Sequence, residues 1–282
     1  MLVRYREFRR LHEQRTEANN SIMALLAGSK LAVNTLRLTT GSKLRLSEIF
    51  PEVPHIERFD LRTDRATHLL DNAEAALAVM AIPYILAIHE DYMCHCISLL
   101  IDAGVAPSAS KMPSAKAMHA YFETAADRCL PSDLVEMFQV IRMMRNCHIH
   151  AGGLANQEMC DERTALGTSG ESKWGKWTGK ALPTFAVGDA VPIGQAEVIV
   201  GLALTSALAK ESNEILGTTV PTTHWAKLAI ADALADGVEL RGNDQQRFRT
   251  LRGFVRLYYA GVGISDSDLE IAAKAAGLRV KA

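Results

Sequence analysis

The chain has 282 residues, 48% of them apolar and 22% charged, with a formal net charge of −1 at pH 7. That length suits one large domain, or one with a smaller companion, and the composition excludes an intrinsically disordered chain. Near-neutrality excludes a protein whose whole surface grips nucleic acid, while leaving room for a local basic groove.

No stretch of about 18 uncharged apolar residues occurs, so no membrane-spanning helix and no membrane partner are expected. The start, MLVRYREFRRLHEQR, is too charged for a signal peptide. Five cysteines, an odd number scattered through helix-like segments, fit reduced thiols and a cytoplasmic protein better than a disulfide framework.

In chain order, Arg4, Arg6, Arg9, Arg10 and Arg15 against Glu7 and Glu13 read as a basic helix, either a solvated face or a contact with nucleic acid or a partner. From Gly28 to Pro54 the signal is mixed, with TTGSK as a turn. Residues 61 to 103 are periodic: Ala66, Leu69, Leu70, Ala73, Leu77, Met80, Ala81 and Tyr84 fall on one helical stripe, and Pro83 is expected to kink or split it. DAGVAPSAS closes this segment, a short helix follows near 113–127, and Pro131-Ser132 opens the next. Gly152 and Gly153 should end that helix, because glycine accepts the left-handed conformation of a helix C-terminus.

Residues 154 to 194 look irregular, with Trp174 and Trp177 in a polar loop and a hairpin candidate in LPTFAVGDAVPIG. The tryptophans could stack bases or pin the loop to a core. QAEVIVGLALTSALAKESNEIL, 195–216, is a helix, and Pro221 marks a boundary. Beyond it lies a basic run, Arg241, Arg247, Arg249, Arg252 and Arg256. Arg249, Arg252 and Arg256 share one helical face, either solvated over a core of Phe254 and Leu257 or tracking phosphates. The expected organisation is an N-terminal basic helix and connecting region over 1–60, a helical domain over 61–218 and a small helical unit over 219–282.

The helix before the glycines carries IRMMRNCHIHAGG. At roughly 100° per residue, Leu134, Met137, Phe138 and Ile141 form its buried stripe, and the stripe continues to Arg145. A charge seldom lies there without compensation, whether from a carboxylate such as Glu90 or Asp91, helix-end carbonyls, a subunit interface or an anionic ligand. Basic residues near a helix C-terminus also suit the dipole, so a well-capped structural helix accounts for the same residues.

Arg145, Asn146 and His150, followed by Gly152 and Gly153, match R-N-x-x-x-H before a glycine turn, and in this the chain resembles the HEPN-domain ribonucleases over about residues 61–216. The resemblance implies an all-α HEPN-like helical bundle, here with an irregular or short-hairpin insert and a small helical C-terminal unit. It implies a metal-independent endoribonuclease that acts as a homodimer with a composite site, as a toxin or antiviral defence effector, with RNA as partner and an antitoxin or regulatory protein as a second. No cofactor and no metal enter that chemistry. Arg145 would hold the phosphate, Asn146 would position the neighbouring backbone or side chains, and His150 would be the acid or base while the ribose 2′-hydroxyl attacks phosphorus. On an ideal helix His148 lies about 60° from Arg145 and His150 about 140°, so His148 is kept as an auxiliary candidate. Some toxins of this family carry an AMP-accepting tyrosine two residues after the histidine; Gly152 stands there, which speaks against that control.

Other chemistries are weaker. MCHC at 93–96 and CHIH at 147–150 hold zinc-type ligands, but Cys94 and Cys96 point about 200° apart on a helix. Cys147 and His148 are adjacent and do not face each other as a nucleophile and base must. No P-loop or G-x-G-x-x-G occurs. The alternatives to an enzyme are a non-catalytic HEPN-like interaction or nucleotide-binding module, and a nucleic-acid-binding regulator using the C-terminal arginines.

Overall fold

A computed structural model describes residues 2–58, 61–107 and 111–282. Among these the fold is all-α, with twelve helices: α1 (Arg6–Arg37), α2 (Leu46–Ile49), α3 (Thr63–Asp71), α4 (Ala73–Asp102), α5 (Met118–Ala126), α6 (Ser132–His150), α7 (Gln157–Ala165), α8 (Thr168–Thr178), α9 (Gln195–Thr219), α10 (Thr222–Ala235), α11 (Asp244–Tyr258) and α12 (Asp266–Ala275). The expected boundary at residue 60 and the end of DAGVAPSAS lie outside the described residues. Packing divides the chain into two units, neither a single stretch: Met1–Gln14, Ala87–Gln139 and Leu204–Ala282 in one, Arg15–Leu86 and Val140–Ala203 in the other.

In the first unit the N-terminal segment is tied to α9 and α10 by buried polar groups. The Asn213 side chain accepts from the Val3 N–H and donates to the Val3 carbonyl, both at 2.8 Å. Asp232 accepts from the Arg6 N–H at 2.6 Å and from the Tyr259 hydroxyl at 2.5 Å, so a buried carboxylate satisfies an orphan donor at the start of α1. Burial pushes the Asp232 carboxyl up despite these bonds. Tyr5, Tyr92 and Cys96 meet beside Trp225. Burial raises the Cys96 thiol to about 12, which makes it a packing group. On α11, Phe248, Leu251, Phe254 and Val255 are buried, and Arg249, Arg252 and Arg256 are exposed on one face, with Arg252 3.1 Å from Asp266 of α12. Leu257, expected in that core, is 59% exposed.

In the second unit α1 runs on through the mixed segment to Arg37 and ends in the expected turn, with Gly41 at a φ of 79°. The Arg15 guanidinium donates to the Leu202 carbonyl at 2.5 Å, so this arginine serves the fold and not the solvent. The single helix expected from 61 onward is broken at Asn72, whose N–H and side-chain amide both donate to the His68 carbonyl, and α4 then continues unbroken past Pro83. The break resets the helical phase: Ala78, Ala81, Ile82, Ile85 and Leu86 are buried, while Leu69, Met80 and Tyr84 of the expected stripe are exposed.

Among the described residues, α4 is the one helix long and apolar enough to cross a bilayer by length and composition, a property the uncharged-run criterion did not reveal. Its apolarity has a packing use, since Ile82, Ile85, Leu86, Met93, Ile97 and Leu100 are fully buried.

The region from 154 to 194, expected to be irregular with a hairpin, holds α7 and α8 and no hairpin. Arg163 of α7 donates to the Leu182 and Pro183 carbonyls and pairs with Glu171 at 2.7 Å, which takes up the backbone a hairpin would have used. Residues 188–191 pair instead with 153–155, through Ala155 N–H to the Asp189 carbonyl and Val191 N–H to the Gly153 carbonyl, both 2.8 Å. Trp174 is buried in α8 and acts as a pin; Trp177 is half-buried.

Candidate functional site

The C-terminal half of α6 carries the candidate residues. Val140, Ile141, Arg142, Met143 and Met144 are all buried, so the helix here is enclosed on every side. The most deeply placed arginine is therefore Arg142, which the periodic pattern did not single out. Its guanidinium lies 3.5 Å from both Glu158 and Glu162, four residues apart on one face of α7. The glutamate spacing is a readable signal, but only once α7 is known to be helical.

Arg145 and Asn146, one turn on, are half-buried, and the Asn146 amide leans on the Met143 sulfur at 3.6 Å. Cys147 is buried and burial pushes its thiol up, opposite to what a nucleophile needs. His148 is half-buried and committed: its Nε2 donates to the Val191 carbonyl at 2.7 Å. Because a carbonyl oxygen only accepts, that bond places a hydrogen on Nε2. Glycine at 153 makes room for the same ring, since a Cβ there would stand 3.3 Å from the imidazole.

The helix ends as expected at the glycines. Gly152 and Gly153 have φ of 61° and 84°, and the Gly153 N–H turns back to the Cys147 carbonyl at 3.0 Å. His150, the last helical residue, is exposed, and its ring takes no hydrogen bond from the described residues. The two histidines thus divide: His148 locks the helix end to the 188–191 segment, and His150 remains available to solvent and ligand.

The MCHC residues separate in the same way. Cys96 is buried against Tyr5, while His95 is partly exposed and its Nδ1 bonds the Asp91 carbonyl at 2.8 Å. Among the described residues no three His, Cys, Asp or Glu side chains converge as metal ligands. No family model matches the chain, and neither a curated protein nor a solved structure is found to match it.

Proposed function

We propose that this protein is a HEPN-type endoribonuclease that cleaves RNA without a metal, working as a homodimer in which two α6 ends form one cleft. The observation that carries the proposal is the division of labour at the end of α6. A half-buried arginine precedes, and an exposed imidazole with no hydrogen-bond partner among the described residues terminates, a helix closed by two left-handed glycines. The guanidinium holds a phosphodiester through its fixed fork of donors. The His150 imidazole takes the proton of the ribose 2′-hydroxyl, or gives one to the leaving oxygen. The 2′-oxygen bonds to phosphorus, the bond to the 5′-oxygen breaks, and the products are a cyclic phosphate and a free 5′-hydroxyl. Asn146, beside Arg145, keeps the helix surface polar. A defence or toxin role, with a protein that restrains the enzyme, follows from the same family likeness.

The test is incubation of the purified protein with single-stranded RNA in EDTA. Cleavage is expected, with loss in Arg145→Ala and His150→Ala and retention in a refolded His148→Ala. Cleavage that survives His150→Ala, or no cleavage of any RNA by well-folded protein, overturns the proposal. A DNA strand of the same sequence should survive, because it lacks the attacking hydroxyl.

A further inference from the structure

We infer that a cleft in the first unit, between the start of α1, α9 and the end of α11, binds a nucleotide through its phosphates and base. It stands independently of the α6 motif, because all its lining residues belong to the unit that does not contain residues 140–150. The cleft has a volume of about 650 Å³, in the range that holds one small organic ligand.

Its chemistry is threefold. Arg4 and Lys210 are exposed at its wall with no carboxylate partner among the described residues, so two cations stand ready for an anion. Arg9 is already neutralised by Asp236 at 2.6 Å and lies over the Tyr258 ring, 4.3 Å from its centroid, with the Arg4 guanidinium at 5.5 Å. The guanidinium planes over Tyr258, beside half-buried Phe8, give the cleft a flat cationic and aromatic platform of the kind on which bases stack. Glu13 adds one exposed carboxylate, an acceptor for a ribose diol or an exocyclic amine and a poor neighbour for phosphate.

A lone phosphate would use the cations and leave the aromatic surface and most of the volume empty. An acidic peptide would meet Glu13 with repulsion. A nucleotide uses all three features. The Arg4 N–H to Tyr258 carbonyl bond, 2.7 Å, fixes the Arg4 backbone, so ordering on binding is confined to side chains.

The nucleotide can be free or a unit of a strand, and the experiment separates these. The full-length protein is titrated calorimetrically with ADP, GDP, CDP and UDP, with inorganic phosphate, with adenosine, and with a short 2′-O-methyl oligonucleotide that 2′-hydroxyl chemistry cannot cut. Saturable binding of a nucleoside diphosphate, tighter than phosphate or adenosine, is expected, weakened roughly ten-fold or more in Arg4→Ala/Lys210→Ala. Both side chains are exposed, so the fold should survive, which circular dichroism verifies. Binding of the oligonucleotide alone, lost in the same variant, identifies a strand as the source. No saturable binding of either ligand at millimolar concentration, binding unchanged in the variant, or phosphate binding as tightly as the diphosphates overturns the inference. None of these outcomes depends on RNA cleavage, so failure here and failure of the ribonuclease assay are distinguishable.

Discussion

Acid should destabilise this protein through a buried imidazole pair in the first unit. His89 and His119 are both buried, and their Nε2 atoms meet at 2.9 Å with the rings stacked 5.2 Å apart. Phe138 stands edge-on to His119 at 4.5 Å. One Nε2 must carry the hydrogen and the other the lone pair, so the pair cannot be doubly protonated without two N–H groups colliding. Burial lowers His119 from 6.5 to about 4. A histidine whose folded pKa is depressed is neutral in the folded state and protonates first in the unfolded one. Its stabilising contribution is therefore complete above about pH 6.5 and is lost as pH falls toward 4.

Each tenfold difference in proton affinity between the folded and unfolded states corresponds to about 1.4 kcal/mol. The full loss is then roughly 3 kcal/mol, of which about 2 kcal/mol falls between pH 7 and pH 5. Urea unfolding at those two pH values measures it. His119→Gln keeps a polar partner for His89 but cannot titrate, so it should lose about 2 kcal/mol less than the parent over the same interval. His224, also lowered by burial, acts in the same direction and is common to both proteins. Equal losses in parent and variant refute the assignment of the acid sensitivity to this pair.

Four further single substitutions probe the region around α6. Arg142→Ala removes a guanidinium held by Glu158 and Glu162 and opens space in an enclosed stretch of helix; urea unfolding should show a loss of about 2 kcal/mol, and a change below about 0.5 kcal/mol would mean the pairs do not contribute. His148→Ala should cost about 1 kcal/mol by losing its bond to the Val191 carbonyl, whereas His150→Ala should leave the unfolding midpoint unchanged; the reverse order would contradict the division between the two rings. Gly153→Ala forces an L-residue to a φ of 84° and sets its methyl 3.3 Å from the His148 ring, so a loss of about 1–2 kcal/mol is expected, with Gly153→Ala/His148→Ala recovering only the steric part.

The sequence discloses elements whose signal is local and hides those whose signal comes from elsewhere. The helix at 195–216 and the buried stripe of Leu134, Met137, Phe138 and Ile141 are legible because periodicity and burial agree over several turns. The stripe drawn from Ala66 to Tyr84 fails because it assumes one phase, and Asn72 resets the phase between α3 and α4. Pro83 is a weaker signal than it looks, since the helix passes through it. α7 and α8 are short and polar, with glycines and threonines that favour loops, so local propensity masks them. Tertiary partners reveal them, as Glu158 and Glu162 meet Arg142 and Trp174 reaches the core.

The candidate site shows the same limit at the scale of single side chains. A helical wheel gives the angle of each residue about its own axis and nothing about what faces it. By angle, Arg145 is the misplaced charge and His148 its partner. In the fold the deepest arginine is Arg142, because the matching carboxylates lie on α7, and His148 is taken by a carbonyl some forty residues on in the chain. What frees His150 is backbone conformation: two left-handed glycines turn the chain back at once, so the last helical side chain has no following turn packed against it. A helix that stops abruptly can therefore present one imidazole to solvent while the imidazole two places earlier anchors the turn.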